Sequence, residues 1–173
     1  MAMALALEPK ILIADEPTTA LDVTIQLQYL RLLKDIQAET GMAIIFITHD
    51  FGIVARMCDR VAVMYAGRIV EDAGVRDLFN DPRHPYTQAL MASVPQMERT
   101  DRLFAIEGQP PALYALPEGC RFADRCSYAK DICRREYPPA ISIGKDHVTH
   151  CWMSDPVWED QPVETAFPQK AVE

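Results

Sequence analysis

Two acids and a histidine stand where nucleotide chemistry could be done. Asp15 and Glu16 directly follow the apolar run Ile11–Ala14 in "KILIADEPTTALD", and His49 directly follows a second apolar run in "MAIIFITHD". Mg²⁺ bridging the β- and γ-phosphates of a nucleoside triphosphate wants hard oxygen ligands, and Asp15 can supply one. The attacking water must be oriented and relieved of a proton, which suits Glu16 as general base or water-positioning group. A donor on the γ-phosphate, here His49, can stabilise charge as it redistributes. Taken singly, an Asp-Glu pair after a strand also reads as a solvated turn, and a lone histidine as a cap or packing residue. Their shared order and spacing make the chemical reading more specific. The 173 residues contain no G-x-x-x-x-G-K-[ST] loop to hold the phosphates, so this is half of such a site.

A second set of chemical groups lies further along. Cys120, Cys126, Cys133 and Cys151 are spaced C-x5-C-x6-C-x17-C. Four thiolates can close a tetrahedral zinc site or hold an iron–sulfur cluster. No C-x2-C pair of the zinc-knuckle kind occurs, and the spacing misses the two-cluster ferredoxin run. Longer gaps suit a bulky cluster approached from separated loops. Arg121, Arg125, Arg134 and Arg135 lie beside these cysteines and could offset the anionic charge of such a cluster. Four buried free thiols are the bland alternative. His147 and His150 are possible zinc ligands or plain loop residues, and Cys58, at a helix end among apolar neighbours, reads as core.

The elements that must position these groups follow from periodicity. Ile11–Ala14 is a short apolar run suited to a strand buried on both faces. Asp22 can N-cap a helix from Val23 to about Glu39, with Leu27, Leu30, Leu33 and Ile36 as its apolar stripe and Gly41 as its stop. Met42–Thr48 makes the next strand, giving a βαβ unit with parallel strands. In open parallel sheets ligands bind beyond the carboxyl ends of the strands, where Asp15, Glu16 and His49 stand. A short helix over Asp50–Cys58 comes next, then two strands around Ala66-Gly67 as a hairpin. "VRDLF" and "YTQALMASV" read as short helices.

Composition sets the outer limits. Only Pro9 and Pro17 precede residue 80, whereas the other 11 of 13 prolines come after it, and four of the five cysteines lie beyond residue 119. The expectation is regular packed structure over residues 1–80, a loop-rich appendage over 81–158 and a loose tail over 159–173. A net charge of −8 argues against nucleic acid as the main partner. No apolar run approaches the ~18–20 residues of a membrane span. "MAMALALEPK" lacks the basic start of a signal peptide and reads as the end of a helix, so a cytoplasmic chain is expected. In a reducing compartment five cysteines are expected as ligands or buried thiols rather than disulfides.

On these residues the chain resembles a known family. "ILIADEPTTALD" is similar to the Walker B segment and D-loop of ABC-type ATPases, "IIFITHD" to their switch-histidine segment, and "DRVAVMYAGRIVEDA" to the family's segment after the switch. The resemblance implies an α/β fold, the C-terminal part of a P-loop-type ABC ATPase domain that begins just after the serine-glycine signature. It implies ATP and Mg²⁺ as cofactors. Asp15 would serve Mg²⁺, Glu16 the attacking water, His49 the γ-phosphate, and Ala20, Leu21 and Asp22 the contact with an opposing ATPase subunit. "HPYTQALMASVP", "EGQPP", "GCRFADRC" and "HVTHCW" resemble the C-terminal extension of ATPase subunits of oligopeptide, dipeptide and nickel importers. Members of that family can carry a 4Fe–4S cluster on four such cysteines. His84-Pro85-Tyr86 is family-like too, with a structural role expected: Pro85 sets a first helical turn and Tyr86 packs.

The function implied is an ATP-hydrolysing subunit that powers peptide, dipeptide or nickel import. Its partners would be a second ATPase subunit head to tail, membrane permeases and, indirectly, a solute-binding protein, with the chain peripheral on the cytoplasmic face of the membrane. Without the phosphate loop and signature the chain alone is expected to be inactive. The rival reading is a catalytically dead metal- or Fe–S-binding interaction module; a non-transport ABC ATPase is disfavoured by the appendage.

Overall fold

A computed structural model describes residues 2–93 and 105–158. The tail after Trp158 and the last residue of the expected helix ending at Val94 lie outside the described residues. The chain divides into two compact units, Met1–Asp59 and Arg60–Glu173.

In the first unit, a short helix α1 (Ala2–Leu5) leads into β1 (Ile11–Asp15), α2 (Val23–Thr40), β2 (Ala43–Ile47) and α3 (Phe51–Met57). β1 and β2 pair in parallel, in register from Ile11 opposite Ala43 to Asp15 opposite Ile47, with α2 as the crossover. This is the expected βαβ unit. The local rules that bound α2 also hold. Asp22 accepts the N–H groups of Thr24 and Ile25, each at 3.0 Å, satisfying two of the four donors a helix leaves open. Gly41 closes the helix at φ 68°, a left-handed conformation that glycine adopts freely. Lys34 reaches from α2 to the Arg56 carbonyl near the end of α3, at 2.6 Å.

The core of this unit is Leu12, Leu33 and Met42, with Tyr29, Ile36, Ile44 and Phe46 packed against it. Two expectations need correction. The apolar stripe of α2 is narrower than its sequence suggests, because Leu27 is 42% exposed. β1 is buried on one face only: Leu12 and Ala14 are covered, whereas Ile11 and Ile13 are 58% and 64% exposed, and Ile45 and Ile47 of β2 stand open beside them. A near-continuous apolar run is what a two-sided burial would select, but α2 packs on one side and nothing among the described residues covers the other.

The second unit holds β3 (Arg60–Tyr65), β4 (Arg68–Gly74), α4 (Val75–Asn80), α5 (Pro85–Ser93), α6 (Asp131–Arg135), β5 (Ile141–Gly144) and β6 (His147–Thr149). The four strands form an antiparallel sheet in the order β3-β4-β6-β5. β3 and β4 make the expected hairpin. Ala66 at φ 45° and Gly67 at φ 82° give the two positive φ angles of a tight two-residue turn. β5 and β6 extend the sheet on the far side of β4, in a stretch whose sequence reads as loop. They are four and three residues long, too short for a periodic signal.

One buried carboxylate ties this unit together. Glu71 on β4 is fully buried. It accepts the Arg83 N–H at 2.6 Å, the His84 N–H at 3.0 Å and bonds to His147 Nε2 at 2.8 Å. Three segments distant in sequence thus meet on one acid. His147 is therefore a strand residue held by Glu71 rather than a loop residue. Glu71→Ala strands two buried partners, the His84 N–H and His147, together with the part-buried Arg83 N–H, and a loss of about 3–5 kcal/mol in unfolding free energy is expected. Urea denaturation followed by Trp fluorescence reads it, with Glu71→Gln, which can still accept, losing less.

Candidate functional site

At the carboxyl edge of the parallel pair, the backbone brings the acidic doublet and the histidine together. Asp15 is the last residue of β1, exposed. Glu16 continues the ladder with its N–H on the Ile47 carbonyl at 2.8 Å, then turns the chain at φ 42°. A positive φ at a non-glycine residue is strained backbone, and strain of this kind clusters at functional positions. Pro17 is next and ends the strand.

The Glu16 carboxylate uses both oxygens. Oε2 accepts the Thr19 hydroxyl at 2.6 Å and Oε1 meets His49 Nδ1 at 2.8 Å. The Thr19 hydrogen bond, then that from His49, holds the carboxyl below the usual glutamate range. Glu16 is therefore a carboxylate at neutral pH, the form a base requires. The same pairing fixes the histidine. Nδ1 must carry a proton to donate to Glu16, so Nε2 points away as an acceptor in the neutral ring and as a donor only in the imidazolium. A role as donor to phosphate thus calls for the charged ring. Sequence reasoning missed Thr19; the available signal was a hydroxyl three residues after the acid, able to reach back across the turn.

The remaining residues at this edge divide. Ala20 and Leu21 are exposed on the loop before α2, free to meet another surface. Asp22 is engaged as the cap of α2. Thr18 is buried beneath the loop. Asp50, next to His49, caps α3 through the N–H groups of Gly52 and Ile53 at 2.7 and 3.2 Å, which anchors the loop bearing the histidine.

The second unit brings its four cysteines to one place. Cys120, Cys126, Cys133 and Cys151 line a single apolar cavity with Phe122, Tyr128 and His84 among its walls. The loop carrying Cys120 lies against the end of α6. Cys120 N–H donates to the Cys133 carbonyl at 2.7 Å. Gly119 makes this possible, because a Cβ there would sit 2.4 Å from that same oxygen. Burial pushes the Cys120 thiol up, that of Cys126 up to about 12, and that of Cys151 up as well, with the neighbouring sulfurs adding to the effect. Thiols so placed stay protonated unless a cationic group enters to ionise them. Among the described residues no three or more His, Cys, Asp or Glu side chains form a closed metal-ligand group.

The arginines expected to balance cluster charge are mostly occupied otherwise. Arg125 donates to the carbonyls of Ile106 and Glu107, each at 2.9 Å, and to the Tyr65 hydroxyl at 3.2 Å. Arg121 holds the Ala66 carbonyl. Arg134 pairs with Asp124 at 3.7 Å and also lowers Cys126 slightly against the effect of burial. These side chains fasten the cysteine loops rather than line the cavity. His150 bonds through Nδ1 to the Pro138 carbonyl at 3.3 Å. Cys58 is half-buried at the end of α3, in the other unit.

His84-Pro85-Tyr86 begins α5 as expected. Pro85 is the first helical residue, and Tyr86 packs its ring 4.6 Å from Tyr65 and 5.3 Å from Phe122. His84 does more than the sequence suggests: its Nδ1 accepts the Tyr86 N–H at 3.0 Å, capping the helix, while its ring edges the cysteine cavity. Burial, with His150 nearby, drives its imidazole down to about 3, so the ring is neutral.

The sequence model of the family described as "Oligopeptide/dipeptide transporter, C-terminal region" matches residues 70–133. Over 159 residues, 91% of this chain and 48% of the relative, the sequence is 55% identical to a probable peptide ABC transporter ATP-binding protein of Sinorhizobium fredii. It is 54% identical to the oligopeptide transport ATP-binding protein OppD of Bacillus subtilis, over 90% of this chain and 44% of the relative. It is 51% identical to the dipeptide transport ATP-binding protein DppD of the same organism, over 90% and 47%. The chain thus spans about half the length of the curated relatives it matches. A solved structure of cbiO1 from Clostridium perfringens, part of the ABC transporter complex cbiONQ, covers 44% of this chain and 31% of that one, with 42% identity and a TM-score of 0.41.

The geometry at Glu16 carries its own test. Thr19→Val removes the strongest stabiliser of the carboxylate, so the Glu16 pKa should rise toward the ordinary value of ~4.3. A carbon-detected NMR titration of the side-chain carboxyl measures it directly; an unmoved titration would show that the Thr19 hydrogen bond is absent in solution.

Proposed function

We propose, for a chain that carries the oligopeptide/dipeptide transporter C-terminal region and matches peptide ABC ATP-binding proteins over most of its length, that it is part of the ATP-hydrolysing subunit of a peptide importer. The observation that supports the chemistry is the 2.8 Å pairing of Glu16 with His49 at the edge of the parallel strands, beside Asp15. Residues 1–80 form the ATPase portion and 81–158 the extension. ATP with Mg²⁺ is the cofactor pair. Asp15 offers the hard oxygen that Mg²⁺ prefers. Glu16, kept anionic by Thr19 and His49, orients the attacking water and takes its proton. His49, turned by its bond to Glu16, presents Nε2 toward the γ-phosphate. Ala20 and Leu21, exposed at the loop tip, with Asp22 behind them, meet the opposing ATPase subunit.

The partners of the whole protein are then a second ATPase subunit and membrane permeases, with a solute-binding protein supplying the peptide. No helix among the described residues is long and apolar enough to cross a membrane, which is compatible with a peripheral position on the cytoplasmic face.

A specific observation favours an addition to this reading: four cysteines line one apolar cavity. An all-thiolate donor set suits a soft metal or an iron–sulfur cluster. Cys120, Cys126, Cys133 and Cys151 would hold a 4Fe–4S cluster, whose positive irons would draw off the thiol protons that burial otherwise retains. Such a group would brace the loops of the extension.

Two experiments test these readings. In a full-length subunit containing this chain, Glu16→Gln should keep ATP binding and lower turnover by ~10²-fold or more; near-normal turnover would move the base elsewhere. Anaerobically prepared protein should be brown and contain iron and sulfide. Serine at any one of the four cysteines should lower the iron content, while Cys58→Ser should not. Stoichiometric zinc in colourless protein would favour a zinc site, and absence of any metal would return the four cysteines to buried thiols.

A further inference from the structure

His84 is the N-cap of α5 and one wall of the cysteine cavity. Its side chain is 1% exposed. Nδ1 accepts the Tyr86 N–H, and a nitrogen that accepts carries no proton, so in the neutral ring the proton is on Nε2. The other tautomer would set two donors against each other at Tyr86. A flipped ring would leave that N–H uncapped. Nε2–H is therefore a fixed donor, yet it has no acceptor among the described residues, the four thiols included. A buried donor left unpaired costs about 1–3 kcal/mol, and native proteins retain few. Water is a poor solution here. It needs two to four polar partners, and apart from the sulfurs the cavity presents an almost wholly apolar lining, in which Tyr128, Trp152 and Trp158 stand with Phe122 and the prolines Pro85 and Pro138.

We infer that His84 Nε2–H is the hydrogen-bond donor to an electron-rich sulfur, sulfide or thiolate, of the group that Cys120, Cys126, Cys133 and Cys151 hold in this cavity. The inference rests on the cluster reading above and adds to it a residue that tunes rather than ligates. An N–H directed at sulfur stabilises the extra negative charge of the reduced state, so it raises the reduction potential. The helix cap explains why a histidine is used. One nitrogen is engaged with the backbone, which aims the other into the cavity without a second support.

The experiment uses the whole chain, reconstituted anaerobically with ferrous iron and sulfide. Iron and sulfide analysis with the visible spectrum tests the cluster. The donor is then tested with two variants. His84→Asn places its amide where Nδ1 is, keeping the cap and removing the donor; His84→Gln reaches the Nε2 position and keeps it. At equal iron content, His84→Asn should favour the oxidised form at least tenfold at fixed potential, ~59 mV lower for a one-electron couple. His84→Gln should stay near the parent. In the reduced parent protein, pulsed EPR should show coupling to ¹⁵N-labelled histidine and to an exchangeable deuteron, a readout that stands even if a variant fails to fold. An intact cluster with no such coupling and an unchanged potential in His84→Asn overturns the role of His84 and leaves the cluster. Colourless protein, with zinc or no metal, overturns both.

Discussion

A carboxylate without water around it must find its hydrogen bonds in the protein, and Glu71 sets this requirement for the second unit. An ionised acid in an apolar interior costs several kcal/mol unless its lone pairs are filled. Those of Glu71 are filled by the turn before α5 and by β6. The first of these contacts holds His84 by its backbone. The second holds the strand that runs directly into Cys151. An acid on a hairpin thus determines where both the capping histidine and the last cysteine can stand.

The two candidate sites are built on different principles. The acidic edge of the first unit is open, and its order comes from short bonds within a loop: Thr19 and His49 on Glu16, Asp22 and Asp50 on their helices. Solvent reaches it, as a site for a hydrated ion and a soluble nucleotide requires. The cysteine cavity is apolar, and its order comes from packing. Phe122 is one of its walls, 5.3 Å from the rings of Tyr65 and Tyr86. Arginines spend their donors on backbone carbonyls around it, so their cost of desolvation is met by fixing loops that have no ladder of their own.

The features legible in the sequence are those that depend on neighbours in the chain. The cap at Asp22, the stop at Gly41, the turn at Ala66-Gly67 and the proline opening α5 each come from a few residues. So does the placing of acid and histidine at strand ends, since strands and crossover have clear periods. Glu71 is not legible. In "GRIVEDAG" it looks like any polar residue of a hairpin, and its partner His147 is 76 residues away. The cavity role of His84 is hidden for the same reason. The exposed isoleucines of β1 and β2 show the opposite failure, where the local pattern is clear and the covering layer it suggests is not among the described residues.

Glycines with the same letter have unequal freedom to vary. A side chain at Gly144 would meet nothing within 4 Å, whereas at Gly119 it would collide with the backbone of Cys133 and Arg134. No rotamer relieves a clash that begins at Cβ and ends on a peptide group. In a library of random codon changes, position 144 should therefore drift, and position 119 should be as depleted as the cysteine beside it.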